Sequence, residues 1–209
     1  KLLVRLIIFC EENSDYINLD TLRTKFTQLY NKECRKFKHS LRKRDIILEY
    51  QKQIEGELIE RNILLEKLIC KKPSRSISGI SSITLVMSPF PNGQKFSCKH
   101  DCYYCPNEPA HKGNKYQAQP RSYLYHEPGV RRANRHNFEA IGQMNDRMDT
   151  LFANGHPVDK LELILEGGTY AEFPMDYCDD YNRDIYYSAN TYFDPSPKRE
   201  KLTLEEEIY

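Results

Sequence analysis

The sequence has no tryptophan, no internal repeat and no low-complexity tract among its 209 residues. It also lacks a long hydrophobic run, because the apolar stretch at residues 1–10 is too short to cross a bilayer. No small-residue cleavage site follows that stretch, so we expect neither a membrane span nor a signal peptide. A hydrophobic fraction of 39% with 29% charged residues predicts a globular chain rather than a disordered one.

The sequence also lacks a large excess of positive or negative charge, since its net charge is only +1. This value alone indicates no partner. The charges are nevertheless distributed unevenly. Residues 21–50 contain nine Lys or Arg against three acids, and residues 111–137 contain six against one. Residues 159–209 reverse the balance, with thirteen acids against five bases. This asymmetry predicts basic surfaces that face an anionic partner.

Three of the seven cysteines lie close together, because Cys98, Cys102 and Cys105 follow a C-x3-C-x2-C spacing. Clustered cysteines in a chain without a signal peptide indicate a reducing, cytoplasmic setting and a metal rather than disulfides. Structural zinc takes four ligands, and His100 or Cys178 as the fourth is an open alternative. Three thiolates on a 4Fe-4S cluster would instead leave one iron open to a small ligand.

The first third of the chain is expected to be helical. Residues 1–70 carry apolar side chains at helical spacing, and Asp20 is the predicted N-cap of the helix that follows it. The polar faces of these helices are basic, which suits either a solvated surface or a surface that binds RNA.

Strands and helices alternate in the rest of the chain. A β-branched strand at residues 78–88 precedes the cysteine loop, and a helical segment is predicted over residues 129–155. A second strand then leads into the glycine pair at residues 167–168, and another helix begins near residue 175. This order predicts an α/β fold with a parallel sheet.

The stretch CKHDCYYC, at residues 98–105, resembles the signature of radical S-adenosylmethionine enzymes. In that superfamily an aromatic residue usually precedes the third cysteine, as Tyr104 does here. The glycine pair is also similar, since Gly167, Gly168 and Thr169 match the place where members hold the methionine amino group. Glycine suits such a place because it lets a backbone approach a ligand closely.

Longer stretches resemble one family, the catalytic subunit of Elongator, which modifies the wobble uridine of tRNA. The similar stretches stand in the family's order and are KKPSRSISGI, CYYCPNEP, RSYLYHEPGVRRANRHNF, NGHPVDKLELILEGGTY and FPMDY. Together they cover about residues 60–185, and motifs of this length and order are specific. Two departures stand out: CPNEP replaces the family's usual CPGGP, and Glu166 replaces an apolar residue before the glycines.

The resemblance implies cofactors and site residues, although it implies no catalytic residue. The three clustered cysteines would hold a 4Fe-4S cluster. The residues implied to bind S-adenosylmethionine are Tyr104, Gly167, Gly168 and Thr169. Lys160 would contact acetyl-CoA as a substrate, and a lysine that only caps a strand edge is the alternative.

The implied reaction forms 5-carboxymethyluridine at the wobble position of tRNA. The cluster would donate one electron to S-adenosylmethionine, and the resulting radical would take a hydrogen from the acetyl group of acetyl-CoA. The acetyl carbon would then join C5 of the uridine, and thioester hydrolysis would leave the carboxymethyl group. The protein would position the cofactors and exclude water.

Two groups of residues are candidates for contact with tRNA. The first comprises Tyr116, Tyr123, Tyr125, Lys115 and Arg121, whose composition suits base stacking and phosphate contact or, alternatively, a tyrosine-rich packed loop. The second comprises Arg131, Arg132 and Arg135, which would lie near the mouth of the site. These arginines would serve RNA phosphates or pair with acids on the neighbouring helix, and the sequence favours neither.

The chain is expected to be the front part of a larger enzyme. Residues 1–72 would form a basic, helical, tRNA-binding segment, and residues 73–209 would begin a (β/α)6 radical S-adenosylmethionine barrel that is truncated after two βα units. None of the 209 residues is expected to belong to the family's C-terminal acetyltransferase domain. The open sheet edge would favour self-association or pairing with Elongator-like subunits. The alternative function is a catalytically incomplete module that binds tRNA or assembles with partners and retains the cysteine loop.

Overall fold

The computed structural model describes residues 1–16, 18–37, 41–194 and 199–209. These residues form two compact units. The first comprises residues 1–81 and 149–160, and the second comprises residues 82–148 and 161–209. Within the described ranges, no helix is both long and apolar enough to cross a membrane. The division predicted at residue 72 remains a prediction.

The first unit contains the predicted helices of the N-terminal region. They are α1 (Leu2–Glu12), α2 (Leu19–Cys34), α3 (Lys43–Glu55) and α4 (Ile63–Ile69). Each turns an apolar stripe inward, and Leu6, Leu22, Phe26 and Leu65 are fully buried in the shared core. Burial of this stripe, rather than the propensity of short helices, is what stabilises such elements.

The N-cap predicted for α2 was wrong. Asn18 caps the helix, because its side-chain oxygen accepts a hydrogen bond from the Thr21 amide at 3.1 Å. An N-cap side chain has to reach an amide two or three residues ahead of it. Asp20 lies inside the first turn, where its carboxylate interacts favourably with the positive end of the helix dipole.

Two parallel strands, β1 (Ser81–Val86) and β2 (Leu161–Glu166), form the sheet that the structure describes. The Ser81 amide donates to the Lys160 carbonyl at 3.0 Å, and the Met87 amide donates to the Glu166 carbonyl at 2.6 Å. The two partners advance in the same direction along the chain, which confirms the α/β class and the parallel pairing. Two strands do not close a sheet, so the (β/α)6 barrel remains a prediction.

Helices follow both strands. They are α5 (Pro128–Arg135) and α6 (Ala140–Phe152) after β1, and α7 (Met175–Asn190) and α8 (Leu204–Ile208) after β2. The Arg199 side chain binds the buried Glu207 carboxylate of α8 at 2.6 and 2.7 Å. Hydrogen bonds from Arg199, opposed by burial, hold the pKa of Glu207 at about 2, so this pair keeps its charge across the physiological range.

The single helical segment predicted over residues 129–155 is interrupted between α5 and α6. The His136 and Phe138 amides both donate to the Ala133 carbonyl, at 3.0 and 2.8 Å, which ends α5. Asn137 and Phe138 have φ values of 50° and 61°, a left-handed conformation common at helix ends. Phe138 therefore packs on the cluster around Val130 from the bend rather than from a helix face.

The edge of β1 is covered by side chains of the helices that follow it. The Val86 amide donates to Gln143 Oε1, and Gln143 Nε2 donates to the Val86 carbonyl, both at 3.0 Å. The Arg132 guanidinium donates to the Thr84 carbonyl. Gln143 is fully buried. A side-chain amide and a guanidinium thus occupy the positions of a neighbouring strand, and the open edge predicted from the sequence is capped along this part of β1.

We expect Gln143→Met to destabilise the chain by about 1–3 kcal/mol, because the Val86 amide would lose its acceptor inside the core. The Val86 carbonyl would keep its hydrogen bond from the Tyr181 hydroxyl at 3.2 Å, so only one group becomes unsatisfied. Urea denaturation of the full chain measures the change. Gln117→Met is the matched control, since Gln117 is exposed, and equal stabilities of the two variants would contradict this account.

Candidate functional site

The cysteine loop lies between β1 and α5 in the second unit and has little regular structure. All three of its cysteines are free thiols. Cys98 is 6% exposed, Cys105 is half-buried and Cys102 is exposed. In the described part of the chain, no three His, Cys, Asp or Glu side chains stand together in an arrangement that would hold a metal ion. The assignment of the three cysteines as metal ligands therefore stays a prediction.

The glycine turn that follows β2 lies against this loop. A side-chain carbon built on Gly168 would lie 3.7 Å from Cys98 Cβ and 3.6 Å from Arg121 Cβ. The Cys98 thiol also donates to the Thr169 hydroxyl at 3.9 Å. Gly168 has a φ of 107°, which side-chain-bearing residues rarely adopt. The structure thus brings together Cys98, Gly168 and Thr169, which the sequence predicted for one site.

Arg121, later in the same loop, binds residues on both sides of Cys98. Its amide donates to the buried Ser97 hydroxyl at 2.9 Å, and its guanidinium donates to the Asp101 carboxylate at 2.8 Å. The guanidinium also lies 5.1 Å from the centre of the Phe96 ring. The Arg121 side chain is only 9% exposed, and its Nε has no hydrogen-bond partner in the described residues. Arg121 therefore holds both flanks of Cys98 in place.

Further polar contacts tie the loop to the turn. Glu172, on the short 3-10 turn after Thr169, forms an ion pair with Lys99 at 3.1 Å and lies 3.7 Å from the imidazole of His100. The Cys105 thiol is within hydrogen-bonding distance of the Ser122 hydroxyl, at 2.8 Å. His100, which the sequence left open as a zinc ligand, thus lies close to a carboxylate of the opposite segment.

Two tyrosines between the second and third cysteines project into solvent. Tyr103 is fully exposed and Tyr104, the predicted cofactor contact, is 87% exposed. Exposed aromatic rings provide surfaces on which planar groups can stack. Tyr104 therefore has no packing role in the described chain.

Glu108, one of the residues that depart from the family's usual motif, organises the rest of the loop. Its carboxylate accepts hydrogen bonds from the Tyr125 amide at 2.7 Å and from Asn114 at 3.2 Å, and it contacts His111 at 3.1 Å. Although burial opposes the effect, these hydrogen bonds lower the pKa of Glu108. Where the family's usual motif has a glycine, this chain thus has a carboxylate that binds several segments of the loop.

Glu166, the other departure, is a half-buried carboxylate at the end of β2. Burial raises its pKa, the neighbouring Glu127 adds to this shift, and Arg132 opposes it. Burial likewise raises the pKa of Tyr123, with a further contribution from Glu166. The protonated form of Glu166 is thus favoured relative to an exposed glutamate.

The three arginines of α5 differ in their surroundings. Arg132 is half-buried against the Thr84 carbonyl, and Arg135 forms an ion pair with Asp146 of α6 at 2.8 Å. Arg131 is exposed. For Arg135 the structure favours the alternative of pairing with an acid on the neighbouring helix.

Lys160 and the three loop tyrosines differ in their unit and in their exposure. Lys160 is exposed and belongs to the first unit, whereas the cysteines and glycines belong to the second. Its backbone carbonyl pairs with Ser81 at the start of the sheet. Tyr116 is exposed, while Tyr123 and Tyr125 are half-buried, so the packed-loop alternative fits these two better than stacking on RNA.

The cysteine loop offers three thiols, one ligand fewer than a closed zinc site requires. Three free thiols lie on one loop, and that of Cys98 contacts Thr169 of the glycine turn. Cys178, the other cysteine considered as a zinc ligand, is buried on α7. An incomplete set of thiolates is what a cluster with one open iron requires.

Comparison with known proteins shows which proteins the chain is similar to in sequence. The chain is 32% identical over 165 residues to Elongator complex protein 3 of Saccharomyces cerevisiae, covering 79% of the chain and 27% of that protein. It is 33% identical over 120 residues to a tRNA uridine(34) acetyltransferase of Dehalococcoides mccartyi, covering 57% and 23%. The resemblance to the Elongator family is confirmed.

The same relationship extends to the human Elongator complex protein 3, with 28% identity over 183 residues, or 88% of the chain. The chain spans about a quarter to a third of the length of these curated relatives. No protein-family model matches it. The relatives are thus much longer proteins, and the chain is similar to only part of each.

Sequence reasoning missed several residues that position the site. They are Ser97, Asp101, Ser122 and Glu172. The sequence did hold a signal for Asp101, because this acid lies between two of the clustered cysteines. Its basic partner, Arg121, begins the next stretch that resembles the family. The other contacts depend on how the loop folds back on itself, which residue spacing does not encode.

We expect Arg121→Met to increase the rate at which iodoacetamide alkylates Cys98. The variant keeps an apolar stem but loses the ion pair with Asp101, and a loss of about 1 kcal/mol in local closure corresponds to about a fivefold change in rate. Quantitative mass spectrometry measures each cysteine separately, so the exposed Cys102 is an internal control. Arg131→Met should leave both rates unchanged. Unaltered protection of Cys98 in Arg121→Met would show that Arg121 does not hold the loop.

Proposed function

We propose that the chain is the cofactor-binding part of an acyltransferase-type enzyme that modifies uridine at the wobble position of tRNA. Its relatives named tRNA uridine(34) acetyltransferase and Elongator complex protein 3 support the tRNA-modifying activity. The finer proposal is a radical S-adenosylmethionine reaction that uses acetyl-CoA to form 5-carboxymethyluridine. A reducing, cytoplasmic setting belongs to the same proposal, because the cluster thiols have to stay reduced.

The observation that carries the proposal is the contact between the cysteine loop and the glycine turn. The ends of two parallel strands lie at the same edge of a sheet, and ligands of α/β proteins bind at such edges. Here Cys98 follows β1, and Gly168 and Thr169 follow β2. The Cys98 thiol lies 3.9 Å from the Thr169 hydroxyl, and a side-chain carbon built on Gly168 would lie 3.7 Å from Cys98 Cβ. Two motifs that are about 70 residues apart in sequence thereby lie side by side at one edge of the sheet.

The proposed roles follow from the chemistry of the side chains. Cys98, Cys102 and Cys105 would hold a 4Fe-4S cluster, which when bound supplies the single electron for cleaving S-adenosylmethionine. Gly167, Gly168 and Thr169 would bind the amino-acid end of S-adenosylmethionine through backbone groups and a hydroxyl. The exposed ring of Tyr104 would cover the adenine and keep water from the reacting atoms.

The remaining proposed contacts concern the substrates and partners. Lys160 would bind a phosphate of acetyl-CoA, which its exposure permits. The nucleic-acid partner would be tRNA, and the proteins named Elongator complex protein support assembly with further subunits. A catalytically incomplete tRNA-binding module is the alternative function, and it predicts tRNA binding without a cluster.

Anaerobic reconstitution with iron and sulfide tests the proposal. We expect the reduced wild-type chain to give the EPR signal of a 4Fe-4S cluster and the signal to shift when S-adenosylmethionine is added, because one iron remains open. Single Cys98→Ser, Cys102→Ser and Cys105→Ser variants should lose most of the bound iron. Cys178→Ser is the matched control, since its thiol is buried on another element and should not affect the iron content.

Other outcomes are equally informative. Zinc bound at the three cysteines, or no metal together with retained tRNA binding, would contradict the radical mechanism and favour the assembly module. A cluster whose signal does not respond to S-adenosylmethionine would contradict the assignment of the glycine turn. Iron content thus tests the role of the three cysteines, and the EPR shift tests the role of the glycine turn.

A further inference from the structure

A cavity of about 490 Å³ in the first unit is surrounded by positive charge. Its lining comprises Arg42, Lys43, Arg44, Lys71, Thr150, Ala153 and Asn154. Four of these seven residues are cationic, and no carboxylate is part of the lining that the structure describes. We propose that this cavity binds the phosphate of a nucleotide.

The four cations are held in different ways. Arg42 is neutralised in part by Asp45, with which it forms an ion pair at 3.2 Å. Lys43 donates to the Leu68 carbonyl at 3.5 Å, and its ammonium lies about 6 Å from the ring centres of Phe26 and Tyr30. These contacts leave Lys43 in a fixed position beside the cavity rather than extended into solvent.

Arg44 and Lys71 are the cations that remain available to a ligand. Both are exposed, and neither has an ion-pair partner among the residues that the structure describes. The Lys71 amide donates to the Asn154 carbonyl at 2.9 Å, which fixes the backbone of Lys71 beside another residue of the lining. Arg44 and Lys71 therefore bring two uncompensated positive charges to the lining of one cavity.

This concentration of cations costs stability without a ligand. Three of them stand at the beginning of α3, where the helix dipole favours acidic residues and disfavours basic ones. Burial lowers the pKa of Lys43, and the neighbouring Arg23 lowers it further. A bound phosphate would offset the repulsion between the cations and accept hydrogen bonds from guanidinium and ammonium groups, for which it has the right geometry.

The size of the cavity favours a nucleotide over a bare ion. Pockets of about 300–1,000 Å³ hold small organic ligands, and Thr150 and Asn154 add neutral polar groups to the wall. The phosphate could belong to an RNA strand or to a free nucleotide-type cofactor. The choice of RNA as one source rests on the proposed function, whereas the cavity and its charges do not.

The test compares two pairs of substitutions that remove the same charge. Arg44→Gln with Lys71→Gln alters the cavity, and Lys32→Gln with Lys52→Gln alters exposed lysines of the same unit outside it. Binding of an unmodified tRNA transcript to the full chain is measured by fluorescence anisotropy over a range of salt concentrations. Binding of adenosine 3′,5′-bisphosphate is measured by calorimetry, and circular dichroism verifies that both pairs fold.

For RNA as the source, the cavity pair should weaken tRNA binding about tenfold and reduce the slope of log affinity against log salt by about 1–2, with a smaller effect in the control pair. For a free nucleotide as the source, the bisphosphate should bind once per chain, and only the cavity pair should abolish this binding. Equal behaviour of the two pairs in both assays would overturn the proposal.

The same data separate this inference from the proposed function. Suppose that the wild-type chain binds tRNA but not the bisphosphate, and that the two pairs of substitutions weaken tRNA binding equally. The cavity is then not a binding site, and tRNA is retained as the proposed partner. If the wild-type chain binds the bisphosphate in the cavity but does not bind tRNA, the proposed RNA partner is contradicted. The cavity is then retained as a nucleotide-binding site.

Discussion

The candidate site depends on the close approach of two strand ends. The Met87 amide, just after β1, hydrogen-bonds to the Glu166 carbonyl at the end of β2, so the loops after both strands begin side by side. A side-chain carbon on Gly167 would lie 2.9 Å from Met87 Cβ and 3.0 Å from Phe173 Cζ. Gly167 is therefore required by the packing of the strand ends, and Gly168 is the glycine that lies against Cys98. The two glycines of one motif serve different purposes.

The same pairing raises the question of how a two-stranded sheet is stabilised. Each strand that lacks a neighbour exposes amides and carbonyls, which are costly to bury without partners. Gln143 and Arg132 satisfy the Val86 and Thr84 groups of β1, and Tyr181 adds a hydroxyl to the Val86 carbonyl at 3.2 Å. Helices α5, α6 and α7 thus fix β1 through polar side chains as well as through apolar packing.

The sequence was sufficient to predict what depends on local pattern. The strand before the cysteines, the strand before the glycines, their parallel order and the helix from Met175 all follow from periodicity and turn residues. The break at Asn137 could not be predicted, because Phe138 fits a helical pattern and reaches its core position from the bend instead. Arg121 was considered only for RNA, since its partners Ser97 and Asp101 become neighbours only when the loop folds.

The distribution of basic residues has a different meaning in the two units. Arginines of residues 111–137 are largely engaged by the protein itself: Arg121 binds Asp101, Arg132 binds a strand carbonyl, and Arg135 binds Asp146. In the first unit, by contrast, Arg44 and Lys71 stand at a cavity without ion-pair partners in the described residues. A count of charges cannot separate these cases, because the cost of an unpaired cation depends on its surroundings. The basic residues that support the proposed anionic ligand are therefore Arg44 and Lys71 rather than the larger basic segments of the sequence.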